Sequence, residues 1–165
     1  DTLITQCTQN ELVAILGHEI GHWKLWHTWQ GFIISQIYTF ALVKTFTFVQ
    51  GNSGLYSAFG FTFTGVESTP VFIGMMLFVQ TYWSPVESIL SFFMNMNSRY
   101  NEFQADKYSK DLGYAEDLAK GLIKLNIENL GNMVPDPYYS TYYFSHPPVV
   151  ERIKALGVES KKKET

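Results

Sequence analysis

Residues 29–50 read WQGFIISQIYTFALVKTFTFVQ, and residues 70–96 read PVFIGMMLFVQTYWSPVESILSFFMNM. These two blocks decide the fold class. From residue 28 to residue 98 only three side chains are charged: Lys44, Glu67 and Glu87. A helix that crosses a bilayer needs about 20 mostly apolar residues, and either block can supply them. Lys44 and Glu87 are costly in hydrocarbon, so each is expected to snorkel, face water or lie near an interface. Pro85 is expected to kink the second block or to bound it. The connecting stretch 51–69, GNSGLYSAFGFTFTGVEST, reads as an interfacial loop. A buried hairpin of a large soluble protein is the competing reading. Uncharged runs of this length favour a transmembrane hairpin at 28–98.

The loop carries no Lys or Arg, whereas Lys24 flanks one side and Arg99, Lys107 and Lys110 the other. The positive-inside rule therefore puts 1–27 and 99–165 on the cytosolic side. Composition points the same way. Of 165 residues 46% are hydrophobic and only 16% are charged, against about 25% in an ordinary soluble domain. That excludes a disordered tail or a collagen-like repeat. The net charge of −3 leaves no basic footprint for nucleic acid. Cys7 is the single cysteine, so no intrachain disulfide forms and a reducing compartment is the simpler reading. The chain opens on Asp1 and DTLITQCTQNE has no signal-peptide pattern; a portion of a longer protein is expected.

The flanks read as helices. Thr8 with Glu11 makes a capping box for a helix from Thr8 to about Trp26, with Leu12, Ile15, Leu16 and Ile20 as its apolar face. A second helix should leave the apolar block and run to Leu112, stopped by Gly113. A third is expected over Ala115–Leu130, stopped by Gly131. A short one should follow Pro147–Pro148 and end at Gly157. No strand pattern and no internal repeat is evident, so the fold class is all-α.

The chemistry sits at His18-Glu19-Ile20-Gly21-His22. This H-E-x-x-H spacing sets His18 and His22 one turn apart on one helix face, where both imidazoles reach one zinc ion. Glu19 is placed to take the proton of an attacking water and pass it to the leaving amine. A catalytic site wants a third protein ligand and an open position. A metzincin would carry Gly and His where this chain has Leu25 and Thr28, so that class is excluded. His27 lies about 140° round a regular helix from His22, and is expected to face away in a structural or interfacial role. Glu102, with Asp106 one turn later, is the better candidate. Spacing alone leaves two options open: a ligand carboxylate with a partner that orients a ligand histidine, or a solvated pair.

HEIGHWKLWHT, the apolar hairpin, SRYNEFQADKYSKDLGY and YSTYYFSHPPVVERIKAL follow one another in an order that resembles the integral-membrane CAAX prenyl endopeptidases, the a-factor-converting type of zinc protease. The resemblance covers nearly the whole chain. It implies one zinc ion per chain held by His18, His22 and Glu102, with Glu19 as general base and Asp106 as the orienting carboxylate. It also implies a multispanning helical barrel, of which this chain supplies the catalytic helices and a two-span hairpin. The expected partners are prenylated CAAX proteins and membrane lipid, and the expected site is the endoplasmic reticulum membrane, with the inner nuclear membrane. The expected reaction is removal of the last three residues after the prenylated cysteine, with a second upstream cut in some substrates. One departure is Trp26, where the family has a polar residue.

His146, on the short connection Ser145-His146-Pro147-Pro148, is placed to donate to the oxyanion of an acyl-transfer intermediate; the resemblance supports that role, and capping of its own helix is the alternative. Arg99 is expected either to join a carboxylate near the metal or to make a plain ion pair. The cluster Tyr138, Tyr139, Tyr142, Tyr143 and Phe144 reads as packing or as groove lining. The tail Ser160–Thr165, with Lys162 and Lys163 near its end, resembles a dilysine retrieval signal. Two other functions remain open: a general membrane quality-control zinc protease, and a scaffold with a vestigial zinc site. The intact Glu19 argues against the scaffold, since a structural site favours a closed four-ligand shell.

Overall fold

A computed structural model describes residues 6–61 and 71–158. The dilysine reading, Glu67 and Pro70 fall outside the described residues. The described elements, in order, are α1 (Gln9–Lys24), α2 (His27–Gln50), α3 (Ser53–Ala58), α4 (Val71–Phe78), a π-helical turn (Val79–Trp83), α5 (Ser84–Asp111), α6 (Ala115–Glu128), α7 (Pro137–Tyr143) and α8 (Val149–Leu156). There is no strand among the described residues; the all-α expectation holds. The chain divides into two compact units, Asp1–Thr28 with Phe92–Thr165, and Trp29–Ser91.

In the first unit the capping box at Thr8 is present in both directions: Glu11 N donates to Thr8 Oγ1 at 3.4 Å and Thr8 N to Glu11 Oε2 at 2.8 Å. Lys124 Nζ adds a 2.6 Å hydrogen bond to the same carboxylate, tying α1 to α6. That bond, followed by the Thr8 N–H, holds the Glu11 carboxyl below its usual range. The apolar core beneath is Ala14, Ile15, Leu118, Ala119, Leu122, Val149 and Leu156, contributed by α1, α6 and α8.

The buried face of α1 differs from the expected one. Leu16 and Ile20 are exposed, and Glu11, Ala14, Ile15, Gly17, His18 and Gly21 are buried. Small residues win this face because it lies backbone to backbone against α5. Ser109 Oγ donates to the Ala14 carbonyl at 2.8 Å. A Cβ on Gly21 would lie 3.1 Å from the Ala105 Cα and 3.1 Å from the Tyr108 Cβ.

Helix ends follow the glycines in two of three cases. Gly113 (φ 93°) and Gly157 (φ 72°) take the left-handed conformation that stops α5 and α8. At the end of α6 it is Leu130 (φ 52°) that does so, and α6 stops at Glu128, earlier than expected. Leu130 N donates to Ile127 O at 3.0 Å and Gly131 N to Asn126 O at 2.8 Å, a Schellman pair. A Cβ on Gly131 would meet the Asn126 side chain at 2.6 Å, so that side chain would have to move. Helix α1 also stops early, at Lys24, and Trp26 takes φ 63° before α2 begins at His27.

In the second unit, α2 is the one described helix long and apolar enough to cross a membrane. Phe32, Ile33, Ile37, Phe40, Val43 and Phe48 are all exposed along it. The second apolar block is helical but divided. Ser84 N bonds back to Val79 O in the π-helical turn, and α5 starts there. Pro85 accounts for the break: it lacks an N–H, and its ring would strike the preceding turn of a regular helix. The two blocks meet through Tyr38 and Trp83 (ring centroids 5.5 Å apart) and through Phe46 and Phe78 (5.5 Å). Tyr38 Oη accepts from Trp83 Nε1 at 2.9 Å and donates to Glu87 Oε1 at 3.5 Å, which gives that charge a partner. Lys44 Nζ lies 5.8 Å from the Phe40 ring centroid. Part of the expected loop is helical: Asn52 caps α3, which buries Leu55 and Tyr56.

Gly21→Ala should destabilise the full-length protein by about 1–3 kcal/mol through overpacking against α5 backbone. Gly31→Ala, with open space around its Cβ, should be neutral or stabilise by roughly 0.5–1 kcal/mol. Thermal unfolding in detergent compares the two. Equal effects would refute the close α1–α5 seam as a packing constraint.

Candidate metal centre

The two histidines of α1 turn the same way, with His18 Nε2 and His22 Nε2 3.2 Å apart. From α5, Glu102 Oε2 comes to 3.6 Å of His18 Nε2 and Glu102 Oε1 to 3.4 Å of His22 Nε2. One donor atom from each of the three lies within 4.8 Å of the others. Two imidazole nitrogens and one carboxylate are the donors that zinc takes in a site with an open position, so the residues fit such an ion. Glu19, next to His18 on the same helix, is exposed.

Each ring is held from behind. His18 Nδ1 lies 2.9 Å from Asp106 Oδ1. A carboxylate only accepts, so the proton of His18 sits on Nδ1 and the Nε2 lone pair faces Glu102. Arg152, from α8, donates to both oxygens of Asp106, Nε to Oδ2 at 2.8 Å and Nη2 to Oδ1 at 2.6 Å. Its third nitrogen, Nη1, lies 3.2 Å from Glu102 Oε2. Burial pushes the Asp106 carboxyl up, but the Arg152 and His18 hydrogen bonds outweigh it and hold the group below the usual carboxylate range. Burial likewise opposes ionisation of Glu102, and the His22 hydrogen bond with the charges of Arg152, His146 and His18 overcomes it. The Glu102 hydrogen bond raises the His22 pKa against the effect of burial.

His146 stands at the rim. Its Nε2 is 3.3 Å from Glu102 Oε1, its side chain is 66% exposed, and Ser145 Oγ lies 3.0 Å from its Nδ1. Arg99 pairs with Glu151 (Nη2 to Oε2, 2.7 Å) and donates from Nη1 to the Ser140 carbonyl at 3.2 Å. It therefore grips both sides of the connection that carries His146. Asn95 Nδ2 adds a bond to the Tyr142 carbonyl at 2.9 Å. The tyrosine cluster forms helix α7, which sequence reading missed. Asp136 caps it and Pro137 opens it, a cap-and-proline signal present in the sequence. Tyr138, Tyr139, Tyr142 and Tyr143 are exposed on it.

His27 does not face away. Its Nδ1 lies 3.0 Å from His22 Nδ1. The expectation assumed one regular helix through residue 27, but α1 ends at Lys24 and the left-handed Trp26 redirects the chain. The Trp26 departure from the family pattern marks that redirecting position. Arg152 is the other residue that sequence reading missed. Its signal is faint: a lone arginine two positions after the apolar pair Val149–Val150.

Arg152→Met should cost about 3–5 kcal/mol, because it strips the bidentate partner from a carboxylate that is 1% exposed. Chemical unfolding of the metal-free, full-length protein in detergent reads this directly. A loss under about 1 kcal/mol would show that Asp106 relaxes to water or to His18 alone.

The chain is 46% identical over 165 residues to the CAAX prenyl protease 1 homolog of Oryza sativa subsp. japonica, with 99% of this chain and 37% of that one covered. It is 45% identical over 150 residues to the Homo sapiens homolog (91% and 31%). It is 41% identical over 173 residues to CAAX prenyl protease 1 of Saccharomyces cerevisiae (99% and 38%). It thus spans about a third of the length of these curated relatives. The crystal structure of S. mikatae Ste24p superposes with a TM-score of 0.84 at 39% identity, over 96% of this chain and 39% of that one. The model of peptidase family M48 matches residues 1–160, and the chain belongs to that family.

Proposed function

We propose that this chain is the catalytic part of a membrane-embedded zinc endopeptidase that removes the C-terminal tripeptide from prenylated CAAX proteins and, in some substrates, cuts a second bond upstream. The observation that carries the reading is the convergence of His18, His22 and Glu102 beside an exposed Glu19. A closed structural site would have no use for that free carboxylate. The substrate class is supported by the names of the relatives. The membrane setting is supported by the exposed apolar length of α2. Residues 28–98 would form the hairpin, in contact with lipid. The endoplasmic reticulum and inner nuclear membranes, with the catalytic side and the C-terminus cytosolic, are the proposed location.

His18, His22 and Glu102 would hold the metal. When bound there, zinc supplies Lewis-acid polarisation and lowers the pKa of water. Glu19 takes the proton of the attacking water and delivers it to the leaving amine nitrogen. Asp106 fixes the His18 tautomer, and Arg152 fixes Asp106. With Ser145 donating to Nδ1, His146 keeps its proton on Nε2 and donates it toward the oxyanion of the scissile carbonyl. Arg99 positions the connection on which His146 rides.

Full-length protein in liposomes should release the tripeptide from a farnesylated CAAX peptide faster than from its unprenylated twin. Glu19→Gln should keep its zinc and lose about 10²–10⁴-fold in kcat. His146→Ala should keep zinc and lose roughly 10²–10³-fold. Equal cutting of both peptides would remove the prenyl specificity, and bound zinc without turnover would sink the catalytic reading. Metal binding must displace the His22 proton. Because that pKa is raised in the free protein, zinc affinity should climb with pH until His22 is neutral, and level off above.

A further inference from the structure

We propose that His27 and Gln104 are positioning residues that fix the tautomer of His22, through a neutral relay distinct from the charged support behind His18. The proposal rests on the metal reading above. Four side chains make the relay. His22 Nδ1 and His27 Nδ1 are 3.0 Å apart, His27 Nε2 is 3.1 Å from Gln104 Oε1, and Gln104 Nε2 donates to Tyr100 Oη at 3.0 Å. His27 is buried, at 8% exposure.

With the Gln104 amide oxygen turned to His27 and its nitrogen to Tyr100, proton bookkeeping along the relay has one solution with neutral rings. The amide oxygen of Gln104 only accepts, so His27 carries its proton on Nε2. The Nδ1 of His27 is then an acceptor. The His22 ring therefore places its own proton on Nδ1, and its Nε2 lone pair is left facing Glu102 Oε1. Reversing any one bond puts two donors or two lone pairs face to face at about 3 Å in a buried setting, a loss comparable to an unmade hydrogen bond.

The geometry has a local cause. Without the break at Leu25–Trp26, residue 27 would point away from residue 22. The left-handed Trp26 costs backbone energy, as a non-glycine residue does at φ 63°. That turn brings the His27 ring edge-on to His22, with centroids 5.0 Å apart. Gln104 lies between Glu102 and Asp106 on α5, so one and a half turns of that helix present the candidate ligand and the far supports of both histidines. The two supports differ in charge: His18 leans on a carboxylate, and His22 leans on an imidazole that carries none.

The test is zinc affinity of the full-length protein in detergent, by chelator competition, with the visible spectrum of the cobalt-substituted protein as a second readout. His27→Ala should weaken zinc binding about 10–100-fold and alter the cobalt spectrum. Gln104→Leu removes the acceptor and should weaken zinc binding in the same direction. Gln104→Glu restores an acceptor of the same length, and its carboxylate accepts from Tyr100 as well, so it should bind zinc at least as tightly as wild type. A packing role alone would make the leucine and glutamate variants alike, and that result overturns the relay. Wild-type affinity in His27→Ala also overturns it while leaving the metal reading intact. If wild type itself takes up no zinc, the metal reading and the relay fall together; if it binds zinc without cutting peptide, only the proposed reaction falls.

Discussion

The close approach of α1 and α5 is the contact on which the rest depends. Gly17 and Gly21 leave no side chain between the two helices, and Ala105 and Ser109 answer them from the other side. A helix pair normally stands 8–10 Å apart, at the upper end when bulky side chains fill the contact. The small-residue seam brings the axes nearer, so short side chains span the gap. His18 and His22 on one helix then meet Glu102 and Asp106 on the other, at 2.9, 3.4 and 3.6 Å. The seam and the site share the same turns: Gly17 precedes His18, and Gly21 precedes His22. Packing and chemistry are written into alternate positions of one motif.

That arrangement sets an electrostatic problem, which α8 solves. Glu102 and Asp106 are both buried, and both are held ionised. Two carboxylates one turn apart in a poorly solvated seam would repel, and one would take up a proton. Arg152 prevents this by touching both, with its planar fork on Asp106 and its remaining nitrogen on Glu102. A lysine could not make these contacts at once. The last helix therefore packs its apolar face, Val149 and Leu156, into the core and sends one cation into the site from the same element.

Much of this was legible in the sequence. The capping box at Thr8, the glycine stops at 113 and 157 and the histidine pair follow from local rules, and their structural counterparts lie within a residue or two. Spacing leaves Glu102 and Asp106 open between a site pair and a solvated pair. What failed was reasoning that carried one regular helix too far. Helix angle alone puts His27 on the wrong side, because the single left-handed residue Trp26 resets the phase. Hydrophobicity alone assigns Leu16 and Ile20 to the core, whereas closeness of backbones selects glycine and alanine for that face. Arg152 and Gln104 are legible only in three dimensions, since their partners are remote in sequence.

The charge count of the inner site follows from these contacts. With both histidines neutral, Glu102 and Asp106 against Arg152 leave one net negative charge in the buried cluster. That is enough to favour a divalent cation over none, yet a dicarboxylate without Arg152 would be costly to keep ionised before a metal arrived. The arginine is therefore what allows the two carboxylates to stand ionised and oriented in the metal-free chain. The neutral relay behind His22 serves the same end without adding charge. A second carboxylate behind that ring would bring a third anion into the seam, and there is no second arginine within the cluster to offset it. An imidazole and an amide give the ring its direction and leave the cluster's charge unchanged.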